Sequence, residues 1–200
     1  MQTEIEAKFL HVNHNDIRER LNNLGAICEQ PMRLMRRVML DHADQRYQRG
    51  NQAERLRVRD EGDKVTVTYK ASNETNYPYE VEARVNSFDE MGKLLKALGF
   101  VEYSFQESKR ETWHYKNVEI VLDEWPWLDQ YIEIEGKSEK DIKNVAEKLG
   151  FDWKDSKYGS VDTAYMQQYP GMKVTESIGD LSNVCFNEPL PQYLIDRQRK

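Results

Sequence analysis

The sequence predicts an α+β protein in which one antiparallel sheet takes up most of the chain and a few helices flank it. Three observations lead there. Runs with period-two alternation of apolar and polar residues recur from the N-terminus to about residue 135. Two of them, residues 53–60 and 64–70, are separated by Glu61-Gly62-Asp63, a tight polar turn of the hairpin kind. Helical spacing is confined to separate segments, each with a capping residue or a terminal glycine.

The elements follow in order. In residues 2–10, Ile5, Ala7 and Phe9 alternate with Glu4, Glu6 and Lys8, which predicts a strand with one apolar and one charged face. Ile17, Leu21 and Leu24 predict a helix from Asn13, stopped by Gly25. Strands are expected at 33–41, 53–60, 64–70 and 77–85. Ser87 caps a helix to Leu98, with Met91, Leu94, Leu95 and Leu98 as its expected buried stripe and Gly99 at its end. Val101–Tyr115 reads as one long strand or two. Strands at 118–124 and 130–135 are joined through Trp125-Pro126-Trp127. Ser138 opens a further helix to Leu149, and residues 159–168 predict a short last one. The triplets Leu98-Gly99-Phe100 and Leu149-Gly150-Phe151 hint at a repeated helix-into-strand unit. No linker is evident before residue 170. The expected division is a domain at 1–169 and a C-terminal extension at 170–200, docked in part through Phe186, Leu190, Tyr193 and Leu194 or partly disordered.

Composition excludes several classes of protein. With 11 Tyr, 6 Phe and 4 Trp in 200 residues the chain is too aromatic to be disordered and long enough to bury a core without disulfides. No window approaches the ~18 apolar residues of a membrane helix. The acidic start lacks the apolar stretch of a secretory signal, and Cys28 and Cys185 lack metal-type spacing, so a cytoplasmic protein with free thiols is expected, Cys28 in its core. A net charge of −6 argues against general nucleic-acid binding. A monomer or homodimer without membrane or nucleic-acid partners is the expectation.

Charge is sorted by position. Basic residues crowd between Arg33 and Lys70, and acidic ones lie at the start and between Asp123 and Glu135. Arg55, Arg57 and Arg59 alternate with Leu56 and Val58, and Lys64, Thr66, Thr68 and Lys70 with Val65, Val67 and Tyr69. Glu80 shares a side with Glu82, and Glu133 and Glu135 alternate with Ile132 and Ile134. Any one such strand reads as a half-solvated sheet face. Grouping of one sign per strand suggests more: a curled sheet with this face inward would hold a polyanion on its arginines and a hard cation on its carboxylates.

Five motifs then occur in a fixed order. Glu4-x-Glu6-x-Lys8 resembles the ExExK signature of the CYTH superfamily, which includes class IV adenylyl cyclases, thiamine triphosphatases and inorganic triphosphatases. Leu56-Arg57-Val58-Arg59 resembles its LRxR strand, Thr68-Tyr69-Lys70 its TxK, Glu80-Val81-Glu82 the next ExE, and Asp123 with Glu133-Ile134-Glu135 its D…ExE close. The resemblance runs from about residue 2 to 165. It implies an eight-stranded antiparallel β-barrel, a triphosphate tunnel with flanking helices, that binds a triphosphate with Mg²⁺ or Mn²⁺. Carried over, the metal candidates are Glu4, Glu6, Asp123, Glu133 and Glu135. The triphosphate candidates are Arg37, Arg57, Arg59, Lys70 and Arg110, with Lys8, Lys70 and Arg110 in catalytic roles and Glu80 and Glu82 in support. Asp41 shares a face with Arg37.

One departure bears on the reaction. Many relatives carry Lys-x-Arg on the long sixth strand, and aligned on Arg110 the lysine position here is Ser108, with Lys109 on the opposite face unless the strand is bulged. This favours a cyclase, converting ATP to cyclic AMP and pyrophosphate, over a hydrolase of inorganic, thiamine or nucleoside triphosphate. A module that binds a triphosphate or polyphosphate without turnover is the third reading. His11 and His14 read as surface histidines rather than a metal pair, and the tryptophans as packing more than as base-stacking surfaces.

Overall fold

A computed structural model describes residues 5–50, 54–71 and 79–198. Among the described residues there are nine strands: β1 (Ile5–Phe9), β2 (Ile27–His42), β3 (Arg55–Asp60), β4 (Val65–Ala71), β5 (Tyr79–Val85), β6 (Phe100–Tyr115), β7 (Val118–Glu124), β8 (Tyr131–Gly136) and β9 (Asn183–Val184). Six helices accompany them: α1 (His14–Leu24), α2 (Arg46–Arg49), α3 (Phe88–Ala97), α4 (Glu139–Lys148), α5 (Val161–Gln168) and α6 (Gln192–Ile195). The strand order is β1-β8-β7-β6-β2-β3-β4-β5, with β9 beside β6. Neighbouring pairs are antiparallel, as in β1–β8, β6–β7 and β3–β4, whereas β9 runs parallel to β6.

The antiparallel sheet and its helices are therefore those expected, but the ladder is an open path that ends at β1 and β5 among the described residues, not a closed ring. The outer edge of β1 has its own cover: Lys8 donates its amide to Lys157 O at 2.8 Å and accepts from Lys157 N at 2.9 Å. This bridge covers part of the β1 edge.

The chain divides into two compact units. The first comprises Met1–Arg33, Ser108–Glu176 and Phe186–Lys200, the second Leu34–Glu107 and Ser177–Cys185. In the first, Ala7, Phe9, Ile120, Leu122, Ile132 and Ile134 form the sheet's apolar face, closed by Ile17 and Leu21 of α1 and Ile142, Val145 and Ala146 of α4. Burying each of the larger aliphatic side chains contributes roughly 1.5–3 kcal/mol. In the second, Val38, Leu40, Leu56 and Val58 pack with Leu95 of α3. The alternate residues are thereby committed to the other face of each strand, and that is where the charges lie.

Helix ends follow the expected chemistry. Asn13 accepts hydrogen bonds from Asn15 N and Asp16 N, and Ser87 and Ser138 cap α3 and α4. Gly25 closes α1 in the left-handed region, at φ 79°.

Several expectations are corrected. β2 begins at Ile27, well before Arg33, and Cys28 in this first stretch is exposed rather than core. Of the expected α3 stripe, Leu95 is buried and Met91 packs beside it, but Leu94 and Leu98 are exposed. The packing side runs through Phe88, Met91 and Leu95, spaced three and four residues apart, and Leu94 and Leu98 project off it. Val101–Tyr115 belongs to one uninterrupted strand, β6. After Leu149-Gly150-Phe151 the chain enters a 3₁₀ turn at Trp153–Asp155, so the hinted repeat does not hold. Beyond residue 170, Ile178, Val184, Cys185 and Leu194 are buried. Phe186, an expected docking residue, lies under the Lys109 ammonium, 4.7 Å from ring centroid to Nζ.

Candidate active site

In the first unit the charged face of the sheet gathers most of the acidic candidates. Register sets the pairs: Glu6 lies opposite Glu135, Lys8 opposite Glu133, and Arg110 opposite Asp123. The carboxylates of Glu6, Glu133 and Glu135 each offer an oxygen, and these oxygens lie within 4.8 Å of one another. Lys8 is almost fully buried and its Nζ reaches Glu6 at 2.7 Å and Glu133 at 3.1 Å. Arg110 is bidentate on Asp123, at 2.7 and 2.5 Å, and reaches Glu133 at 2.9 Å. Glu4 lies outside the described residues.

The electrostatics separate these carboxylates. Burial alone would raise the Glu133 pKa, but Arg110 and Lys8 outweigh it and hold the group below the usual carboxylate range. Glu135 has no such partner. Burial, then the charge of Glu133, with Glu6 and Glu119 adding to it, pushes its carboxyl up to about 8 despite the Arg110 charge. Burial works against the Lys8 ammonium, yet Glu133 and Glu6 raise its pKa overall. Arg110 is likewise held firmly charged against its burial by Asp123 and Glu133.

A hard divalent cation fits this donor set. Three carboxylates converge, one of them in a place where burial and the charge of Glu133 disfavour its ionised form, and oxygen-only sites suit Mg²⁺ or Mn²⁺. Asp123 stands apart from this trio, with both oxygens on Arg110.

Parity along β6 settles where Ser108 and Lys109 point. The β6–β7 register is regular from Lys109 to Tyr115, without a bulge. Ser108 is buried on the Arg110 face. Lys109 is on the opposite face, with Glu124 at 3.5 Å and the Phe186 ring beneath it. Arg33, not singled out from the sequence, reaches the Arg110 carbonyl at 3.2 Å and Thr112 Oγ1 at 3.3 Å. Its parity with Arg37 along β2 was the available signal.

In the second unit the basic residues form rows across strands. Arg37 pairs with Arg59, which pairs with Thr66. Met39 pairs with Arg57, then Thr68, then Glu82. Arg55 pairs with Lys70, then Glu80. Lys70 and Glu80 form an ion pair at 2.9 Å, and Thr68 Oγ1 donates to Glu82 at 2.8 Å. Arg59 is paired with buried Glu61, a partner the sequence pattern left inside a turn. The Nε atoms of Arg57 and Arg59 are buried with no hydrogen-bond partner among the described residues. Burial, and then the neighbouring Arg59, lower the Arg57 pKa to about 10, against the pull of Glu80, Glu82 and Glu61. Asp41, also buried, accepts from the amides of His42, Tyr47 and Gln48 at 2.6, 3.1 and 3.0 Å, so it anchors the turn into α2.

Among the described residues, neither histidine near the N-terminus joins a group that could hold a metal. His11 pairs with Asp129 at 2.9 Å, and His14, far from lying on the surface as expected, is buried with Nε2 3.1 Å from the Tyr131 carbonyl. Trp113 and Trp125 are buried as packing residues.

The sheet thus carries acidic residues on one set of strands and arginines on another. The CYTH domain pattern matches residues 2–164, and the chain belongs to the CYTH family. It is 26% identical over 148 residues to a Methanocaldococcus jannaschii protein named "Putative adenylate cyclase", covering 72% of this chain and 81% of that one. A structure from Vibrio parahaemolyticus, also named a "putative adenylate cyclase", superposes with a TM-score of 0.70 at 13% identity, over 82% of this chain and 97% of that one. A Hippeastrum protein, described as a "putative adenylyl cyclase" with a dominant triphosphatase activity, gives a TM-score of 0.56 at 15% identity, over 87% and 99%. No helix among the described residues is long and apolar enough to cross a membrane.

Proposed function

We propose that this chain is a divalent-cation-dependent enzyme acting on a triphosphate, of the class IV adenylyl cyclase kind. The observation that carries the reading is the convergence of Glu6, Glu133 and Glu135. Mg²⁺ or Mn²⁺ held there would neutralise phosphate charge and polarise a phosphoryl oxygen. Arg57 and Arg59 supply bidentate donors for phosphate oxygens, and their buried Nε atoms, without a hydrogen-bond partner among the described residues, favour an anion. Lys8 and Arg110 hold Glu133 ionised and oriented.

In the cyclase reaction the ribose 3′-hydroxyl of ATP attacks the α-phosphorus. The new O–P bond closes the cyclic phosphodiester, the hydroxyl proton passes to solvent, and the α–β bridging oxygen leaves with pyrophosphate. Arginine charge stabilises the pyrophosphate as it departs. Ser108, buried beside Arg110, offers no amine at the position where many relatives carry a lysine, which supports this reading over simple hydrolysis.

Hydrolysis of the terminal phosphate is the second reading. The activity described for the Hippeastrum protein favours it, and the same cation and arginines would serve a water nucleophile. Incubation with ATP, thiamine triphosphate and tripolyphosphate, in Mg²⁺ or Mn²⁺, distinguishes the two. Cyclic AMP with equimolar pyrophosphate supports the cyclase. Orthophosphate without cyclic AMP, released with ADP from ATP, thiamine diphosphate from thiamine triphosphate or pyrophosphate from tripolyphosphate, supports the hydrolase, and no product from any of the three overturns the enzyme reading.

A further inference from the structure

The cross-strand row that begins with Glu6 and Glu135 does not stop there. Glu135 of β8 lies opposite Glu119 of β7, and Glu119 lies opposite His114 of β6. Beyond His114 comes Glu29 of β2, its carboxylate oxygen 3.5 Å from His114 Nε2. The Glu119 carboxylate lies 3.6 Å from the same nitrogen, and one ligand atom from each of the three residues falls within 4.8 Å of the others. None of them belongs to the five sequence motifs.

We propose that Glu29, His114 and Glu119 form a second divalent-cation site, with a preference for Zn²⁺-like transition metals over Mg²⁺. Three points of chemistry support it. Tetrahedral bonds of ~2.0–2.1 Å place neighbouring ligand atoms about 3.4 Å apart, close to the observed 3.5 and 3.6 Å. The donor set is one nitrogen and two oxygens, whereas the Glu6 group has oxygen only, and an imidazole selects zinc, cobalt or nickel over magnesium. Glutamates on facing strand positions repel, and the row sets Glu6, Glu135 and Glu119 across three adjacent strands. The three side chains are all partly open to solvent, His114 by 42%, so water completes the coordination sphere. The site is independent of the triphosphate reading, because it is defined by ligands outside that reading.

The alternative is that His114 merely bridges the two glutamates. Calorimetric titration of the chelator-treated full chain with Zn²⁺ separates the two. The expected result is a Zn²⁺ event that excess Mg²⁺ does not displace, weakened at least ~10-fold in His114→Ala and in Glu29→Gln, since even outer-sphere changes at metal sites cost that much. Glu6→Gln leaves this event in place. His114→Cys, which supplies a thiolate, restores it, and with Co²⁺ adds a thiolate charge-transfer band. Unchanged Zn²⁺ affinity and stoichiometry in both His114→Ala and Glu29→Gln overturns the proposal, as does a Zn²⁺ event that only Glu6→Gln abolishes.

Discussion

The two units treat charge in opposite ways. In the first, each buried cation is met by carboxylates: Lys8 by Glu6 and Glu133, Arg110 by Asp123 and Glu133. What is left over is Glu135, whose carboxyl is pushed up to about 8 by burial and by the charge of Glu133. In the second, Arg57 and Arg59 stand in neighbouring rows with buried Nε atoms that have no hydrogen-bond partner among the described residues, although Glu61 pairs with Arg59. A buried charge that the protein itself compensates incompletely is where the proposed function puts a ligand. On this view the first unit is short of a cation and the second of an anion.

The comparison breaks if arginines in the two units respond alike to removal. Arg110→Met strands Asp123 and Glu133 as buried carboxylates, and a loss of roughly 3–5 kcal/mol in urea unfolding is expected. Arg57→Met removes a cation that burial and Arg59 already disfavour. It should stabilise the ligand-free protein, on the order of 1 kcal/mol, while weakening tripolyphosphate binding at least about tenfold by calorimetry. Destabilisation by both, or unchanged binding in Arg57→Met, would show that the second unit's arginines carry no unmet charge.

A pH series sharpens the same contrast. Glu135 keeps its proton in the folded state up to about 8, while its ordinary value is 4.5. Between those values the unfolded chain has released a proton that the folded chain retains, so this group's effect is to lower stability as pH rises through that window. Metal-free wild type should therefore lose Tm from pH 5 to pH 8 more steeply than Glu135→Gln, and saturating Mn²⁺ should remove most of the difference. Equal slopes with and without the substitution would place Glu135 in an ordinary environment.

How much of this was legible beforehand depended on parity and on register. The alternation of Leu56 and Val58 with Arg55, Arg57 and Arg59 fixed which side chains share a face, because one face is a core. The same parity put Ser108 with Arg110 and left Lys109 outside, since β6 has no bulge in its pairing with β7. Cross-strand neighbours were not legible. That Glu6 meets Glu135, and Glu119 meets His114, is a matter of register, which local pattern does not specify. Glu29 escaped because β2 starts before the point where its alternation becomes visible. The α3 stripe misled because four apolar residues span more than the side that packs: Leu94 and Leu98 satisfy helical spacing but project away from Leu95 and Met91.

The smallest expected effect belongs to Lys109. Its ammonium sits on Phe186 and near Glu124, both worth little at a half-exposed position. Lys109→Ala should cost about 1 kcal/mol or less and leave the ratio of cyclic AMP to orthophosphate unchanged. Ser108→Lys should instead raise tripolyphosphate hydrolysis relative to wild type. The reverse pattern, with Lys109→Ala inactive and Ser108→Lys silent, would mean that β6 shifts register during turnover.

The most direct test is Mn²⁺-dependent product formation from ATP in wild type and in Glu6→Gln, a variant that keeps the shape of the side chain and removes one metal oxygen's charge. A bound metal contributes several kcal/mol of transition-state stabilisation, so release of cyclic AMP and pyrophosphate should fall at least about 100-fold in the variant while Tm stays within a few degrees of wild type. Equal turnover by the two proteins would contradict the assignment of the Glu6, Glu133 and Glu135 group as the metal centre.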